Sequence, residues 1–122
     1  RSTHLKTLYE ALDYNRIKRF DIADKLSRKA DNLPSILETW LSWWRDLNIL
    51  TQDQNGKLPS ALPGVISNID HREKLETCAQ TWTTEQALAS LKQTSLALWQ
   101  LQRNANTRLA LEILLLTYPL PQ

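Results

Sequence analysis

The sequence predicts an all-α fold, a compact bundle of about six helices, and three observations predict it. Apolar residues recur at helical spacing, three and four residues apart, along most of the 122-residue chain. Only two glycines and few β-branched runs are present, whereas a sheet-rich fold needs frequent turn residues. N-capping residues stand immediately before the apolar runs.

Ser2 or Thr3 can cap the first helix, which carries Leu5, Leu8, Tyr9 and Leu12. Asp13-Tyr14-Asn15 breaks it, and Asn15 is a good N-cap for a second helix reaching to about Ala30. The buried stripe of that helix is Ile22, Ala23, Leu26 and Ala30; Lys18, Arg19, Lys25, Arg28 and Lys29 occupy the rest as a solvated basic face. Asp31-Asn32-Leu33-Pro34 restarts the chain, because proline is tolerated in a helix's first turn.

The third helix, about Pro34–Leu50, is the most apolar. Ile36, Trp40, Trp43, Leu47 and Leu50 form one stripe, and Leu37, Leu41 and Trp44 the adjacent one. Only Glu38, Ser42 and Arg45 remain as a polar strip, so this helix belongs at the centre. Thr51 to Gly64, with Asn55-Gly56, Pro59 and Pro63, reads as the one real loop.

Asp70-His71-Arg72-Glu73 is a capping box opening the fourth helix, and Thr83-Thr84-Glu85-Gln86 is another opening the fifth, which runs to about Arg103. The main stripe of the fifth is Ala87, Leu88, Leu91, Leu98 and Leu101; Leu96 and Trp99 fall towards the other side. Asn104-Ala105-Asn106 breaks the chain, Asn106 caps the sixth helix, and Pro119 and Pro121 stop it.

The sixth helix is apolar on two sides. Leu109, Ile113 and Leu116 share one side, and Leu111, Leu114, Leu115 and Tyr118 share the opposite one. Arg108 and Glu112, one turn apart, mark the polar edge. Such a helix needs neighbours on both sides, and the second neighbour can be another molecule.

Composition bounds the function. With 42% hydrophobic and 23% charged residues the chain is an ordinary globular domain, large enough for its own core. A formal charge of +2 implies no strong phosphate binding, although residues 1–31 hold eight Lys/Arg against five Asp/Glu. The single cysteine rules out an internal disulfide and fits a reducing compartment. No run is long enough to span a bilayer, and there is no signal-peptide pattern. The absence of methionine and the start at Arg1 suggest a piece of a longer protein.

Candidate chemistry is sparse. His4 and His71 are far apart and lack ligand-spaced partners, so no metal site is expected. Cys78 lies among Leu75, Ala79 and Trp82, the setting of a small buried thiol rather than a nucleophile. There is no glycine-rich phosphate loop. Asp21 with Asp24, and Glu73 with Glu76, read as solvated carboxylates. Trp40, Trp43 and Trp44 are interleaved with leucines as core residues, while Trp99 is a candidate interface residue.

Two segments carry a resemblance: Trp40-Leu41-Ser42-Trp43-Trp44-Arg45-Asp46-Leu47, and the later stretch 104–116 from Asn104 to Leu116, followed by a proline. In this order they resemble the C-terminal domain of the delta-prime family of clamp-loader subunits of bacterial DNA polymerase III. The stretch 14–29 is similar to the helix pair opening that domain, so the resemblance covers most of the chain. It implies a collar domain, five of which, one per subunit, hold the loader together in a ring.

The resemblance also implies that ATP binds AAA+ modules missing from this segment, which would carry neither catalysis nor cofactor of its own. Its partners would be the other clamp-loader subunits through their collar domains, with the sliding clamp and primed DNA met only through the whole complex. The setting would be the bacterial cytoplasm, with no membrane. Thr107 departs from the family, where proline often precedes the arginine, but threonine also starts a helix. The loop 51–64 does not align. The related gamma/tau subunit has a homologous domain; the segment from Trp43 to Asp46, and the end of the chain soon after the leucine-rich helix, favour delta-prime.

The expected core is Trp40, Leu41, Trp44, Leu47, Leu91, Leu98, Leu109 and Ile113. The expected partner face is Leu96, Trp99, Arg103, Leu111, Leu114 and Leu115. The pattern of the sixth helix alone allows the opposite assignment of its two sides. Rival functions are a helical adaptor binding a peptide in a groove and a nucleic-acid-binding domain using the basic second helix. An enzyme is the weakest, for want of a convergent polar site.

Overall fold

The computed structural model describes residues 2–13, 15–28, 32–54, 72–103 and 106–120. Six helices follow in order: α1 (Ser2–Asp13), α2 (Arg16–Ser27), α3 (Leu33–Gln54), α4 (Arg72–Thr81), α5 (Thr84–Gln102) and α6 (Thr107–Thr117). No strand occurs among the described residues, so the chain is an all-α bundle. The expected features at Tyr14, Ala30, Asp31, the loop 55–64, Asp70-His71, Asn104-Ala105 and Pro121 lie outside the described residues.

Local chemistry sets the helix starts. The Asn15 side chain accepts from the Lys18 N–H at 3.2 Å, and that of Asn106 from the Leu109 N–H at 3.0 Å. Thr83 and Gln86 form a reciprocal capping box, each side chain bonding the other's main-chain N–H at 2.9–3.1 Å. Three boundaries differ from expectation. α2 ends at Ser27, capped by Arg28, short of the expected end near Ala30. Ser2 and Thr3 already lie within α1 rather than before it. α3 runs on to Gln54, past the expected end at Leu50. There Thr51 turns its hydroxyl back onto the Asn48 carbonyl at 2.8 Å, so a buried polar residue continues the helix without an unmet hydrogen bond.

α3 is the hub. It packs most extensively on α5 and also contacts α4 and α1; α6 packs on α5 and α2, and α2 touches α1. These contacts close a circuit, α3–α5–α6–α2–α1 and back to α3, with α4 against α3. Its centre is aromatic. Trp44 lies 5.0 Å from Trp43, 5.9 Å from Trp82 and 4.9 Å from Tyr118, centroid to centroid. Trp40 donates its indole N–H to the His4 carbonyl at 2.9 Å, and Trp43 to the Tyr9 hydroxyl at 3.1 Å, so α3 is pinned to α1 by polar as well as apolar contact. Trp40, Trp44 and Leu47 are fully buried, as expected, and Leu41 is partly buried.

α5 meets this aromatic wall with small residues. Its buried positions are Ala87, Ser90, Thr94 and Ala97. Leu91, Leu98 and Leu101 pack only partly buried at the core's margin, and Leu88 is exposed, which corrects its place in the expected stripe. A helix can lie close to large rings only where its own side chains are short. The Ser90 and Thr94 hydroxyls are satisfied by the Gln86 and Ser90 carbonyls at 2.9 and 2.8 Å.

Candidate interaction face

Tyr118, the residue after α6, decides how that helix sits. It is buried, its ring packs at a tilt against Trp40 and Trp44, and its hydroxyl hydrogen-bonds Thr94. Burial pushes its pKa up; the hydrogen bond with Thr94 and the nearby Arg19 charge pull the other way. Because Tyr118 shares a helix side with Leu111, Leu114 and Leu115, those leucines turn inward with it and are fully buried. The expected assignment is therefore reversed. Leu111, Leu114 and Leu115 belong to the core and not to the partner face; Leu109 and Ile113, expected in the core, are 52% and 50% exposed.

A second anchor holds this orientation. Arg19, on α2, is buried and spends its guanidinium on main-chain carbonyls: Nε on Ala11, Nη1 on Leu115 and Tyr118, each at 2.8 Å, and Nη2 on Pro119 at 2.6 Å. These are the carbonyls left unpaired near the ends of α1 and α6, where the helix dipoles are negative. Burial, with the Arg16 charge adding to it, lowers the pKa of Arg19. Arg19 is thus no part of a solvated basic face, which corrects the sequence-based expectation. Elsewhere on α2, Lys25 pairs with Asp21 at 3.1 Å and Arg28 with Asp24 at 3.0 Å. Asp24 also reaches Arg108 of α6 at 3.5 Å, and Arg108 makes the expected pair with Glu112 at 2.9 Å.

With their inner sides committed, α5 and α6 still carry large apolar groups outward. Leu96 is 46% and Trp99 51% exposed, which places both on the surface as expected. The Arg103 guanidinium lies 4.0 Å from the Trp99 ring centroid, a cation–π contact at the surface. Together with Leu109 and Ile113 they give the α5–α6 pair four large apolar side chains turned to the exterior. Ile17, Phe20 and Leu120 are exposed as well, and Ile17 and Leu120 line a shallow cleft with Asn15 and Arg16.

The other candidates resolve into structure. Cys78 is buried, and burial pushes its thiol up to about 11, so it is protonated near neutrality. His4 is partly buried and faces Thr39 at 3.4 Å; His71 lies outside the described residues. Among the described residues no group of three or more His, Cys, Asp or Glu could hold a metal ion, and no helix is long and apolar enough to cross a membrane. Compared with protein-family models, with curated proteins and with solved structures, the chain matches none.

Proposed function

We propose that the chain is an oligomerisation domain, of the collar type found in bacterial clamp-loader subunits and closest in character to delta-prime. Its work is to hold neighbouring subunits together. The observation that carries this reading is the outward side of the α5–α6 hairpin. Leu96, Trp99, Leu109 and Ile113 are each about half exposed although both helices have already filled the core with other residues. Aromatic anchors ringed by aliphatic and cationic groups dominate protein interfaces. The ordered resemblance of the tryptophan segment and the α6 segment to collar domains supports the same assignment, and so does the near-neutral charge. ATP, the sliding clamp and primed DNA would be handled by other modules of the assembled loader.

Reconstitution with bacterial clamp-loader subunits tests this. The wild-type chain, fused to clamp-loader AAA+ modules, should enter the pentamer, and a Leu96→Glu/Trp99→Glu variant should be lost from it on size exclusion. Normal assembly by that variant would remove the proposed face. For the nucleic-acid reading, two of the basic residues of this segment, Lys25 and Arg28, pair with Asp21 and Asp24, while Arg16 and Lys18 stay exposed; a steeply salt-dependent DNA affinity in an anisotropy titration would favour it.

A further inference from the structure

The outward side of α5 has a regular seam. Glu85, Ala89, Lys92, Leu96, Trp99 and Arg103 follow one another at alternating spacings of four and three residues, and all six are exposed. This is the spacing that lets two helices stay in register along their length. The seam is also ordered from end to end. Its acid is at the N-terminal end and its arginine at the other, with the small residue near the acid and the large ring near the arginine. Neither Glu85 nor Arg103 makes an ion pair among the described residues.

We infer that α5 pairs antiparallel with α5 of a second copy of this chain, about a two-fold axis between Lys92 and Leu96. This rests on reading the outward side of α5 as a protein-contact face. The argument is complementarity under that one operation. Turning a copy end for end sets Glu85 against Arg103 of the other chain twice over, Trp99 over Ala89 twice over, and Leu96 against the aliphatic stem of Lys92. Every large group meets a small or flexible one, and both end charges meet their opposites. The ammonium of Lys92 extends past the leucine to water. Parallel pairing does the reverse: it sets Glu85 on Glu85, Lys92 on Lys92, and both Trp99 rings at one level. An isologous contact of this kind closes on itself as a dimer.

The seam is about 27 Å long at the helical rise of ~1.5 Å per residue, one helix wide, and so belongs with small, reversible interfaces. Sedimentation equilibrium of the 122-residue chain from about 1 μM to about 1 mM, the range suited to such contacts, should show a monomer–dimer equilibrium. Glu85→Arg and Arg103→Glu each place like charges at both ends and should weaken self-association about tenfold. Mixed together, those two variants should associate as well as the wild type, because each mixed pair restores both charge contacts. Trp99→Ala, which leaves the charges alone, should weaken association at least as much. A wild type that stays monomeric, single variants that associate normally, or a mixture that fails to recover would each overturn the proposal. Both contacts use Leu96 and Trp99, so the self-pair forms only in chains outside a loader; whether the wild-type chain joins clamp-loader subunits is read separately by the reconstitution.

Discussion

Arg19 and Tyr118 are joined through the main chain: Nη1 of the arginine donates to the Tyr118 carbonyl at 2.8 Å, while the tyrosine ring fills the space against Trp40 and Trp44. One residue thus satisfies the backbone at the end of α6 and fixes where the core's last aromatic enters. Arg19→Leu leaves several buried carbonyls unmet and should cost about 3 kcal/mol or more in a urea melt. Arg19→Lys keeps the charge but loses the planar fork that reaches two helices at once, and should fall between leucine and wild type. A leucine variant losing less than about 1 kcal/mol would show that water replaces the guanidinium at little cost.

Trp44 touches three other aromatic rings and is fully buried. Trp44→Ala should therefore lower unfolding free energy by about 3–5 kcal/mol, the range for removing a large core ring. A urea melt showing a loss below about 1 kcal/mol would contradict the packing described.

Much of this fold was legible because its signals are local. Asn15, Thr83 and Asn106 announce helix starts within three residues of themselves, and α3 announces its central place by being apolar almost all round. What was not legible depends on distant partners. Arg19 sits among charged neighbours in sequence and has no local mark of burial; its acceptors lie eight to about a hundred positions away. Ser90 and Thr94 look like surface residues until the tryptophans of α3 require short side chains opposite them. The two sides of α6 are equally apolar, so periodicity could not rank them. Trp99 and Leu96, by contrast, could be placed outside from their angle on α5 alone.

Burial sets the alkaline limit of stability. It pushes Tyr9 up to about 12 and Cys78 up to about 11, and raises Tyr118 as well, from ordinary values of 10.0, 9.0 and 10.0. Below about pH 9 folded and unfolded chains bind these protons equally, and the groups leave stability unchanged. Above it the unfolded chain releases them first, so it binds fewer protons than the folded one and stability falls as pH rises. The decline should run from about pH 9 to about pH 12. An absorbance titration of tyrosinate should show ionisation of Tyr9 and Tyr118 only as tryptophan fluorescence reports unfolding. Their full ionisation at pH 10 with the fold intact would contradict the burial.

The orientation of α6 can be read by making one chemical change at two positions. Leu109 and Leu111 are two residues apart on the same helix, and truncating either to alanine changes helix propensity equally. Any difference between them must come from burial. Leu111→Ala empties a fully enclosed site and should cost about 2–5 kcal/mol, whereas Leu109→Ala, half exposed, should stay within about 1 kcal/mol of wild type. Ile113→Ala should follow Leu109, and Leu114→Ala should follow Leu111. In reconstitution the order should invert: Leu109→Ala and Ile113→Ala should weaken assembly at unchanged stability, because they trim the surface offered to a neighbour and not the core. Equal destabilisation at Leu109 and Leu111 would mean that α6 buries both sides within its own domain, and would remove α6 from the interaction face.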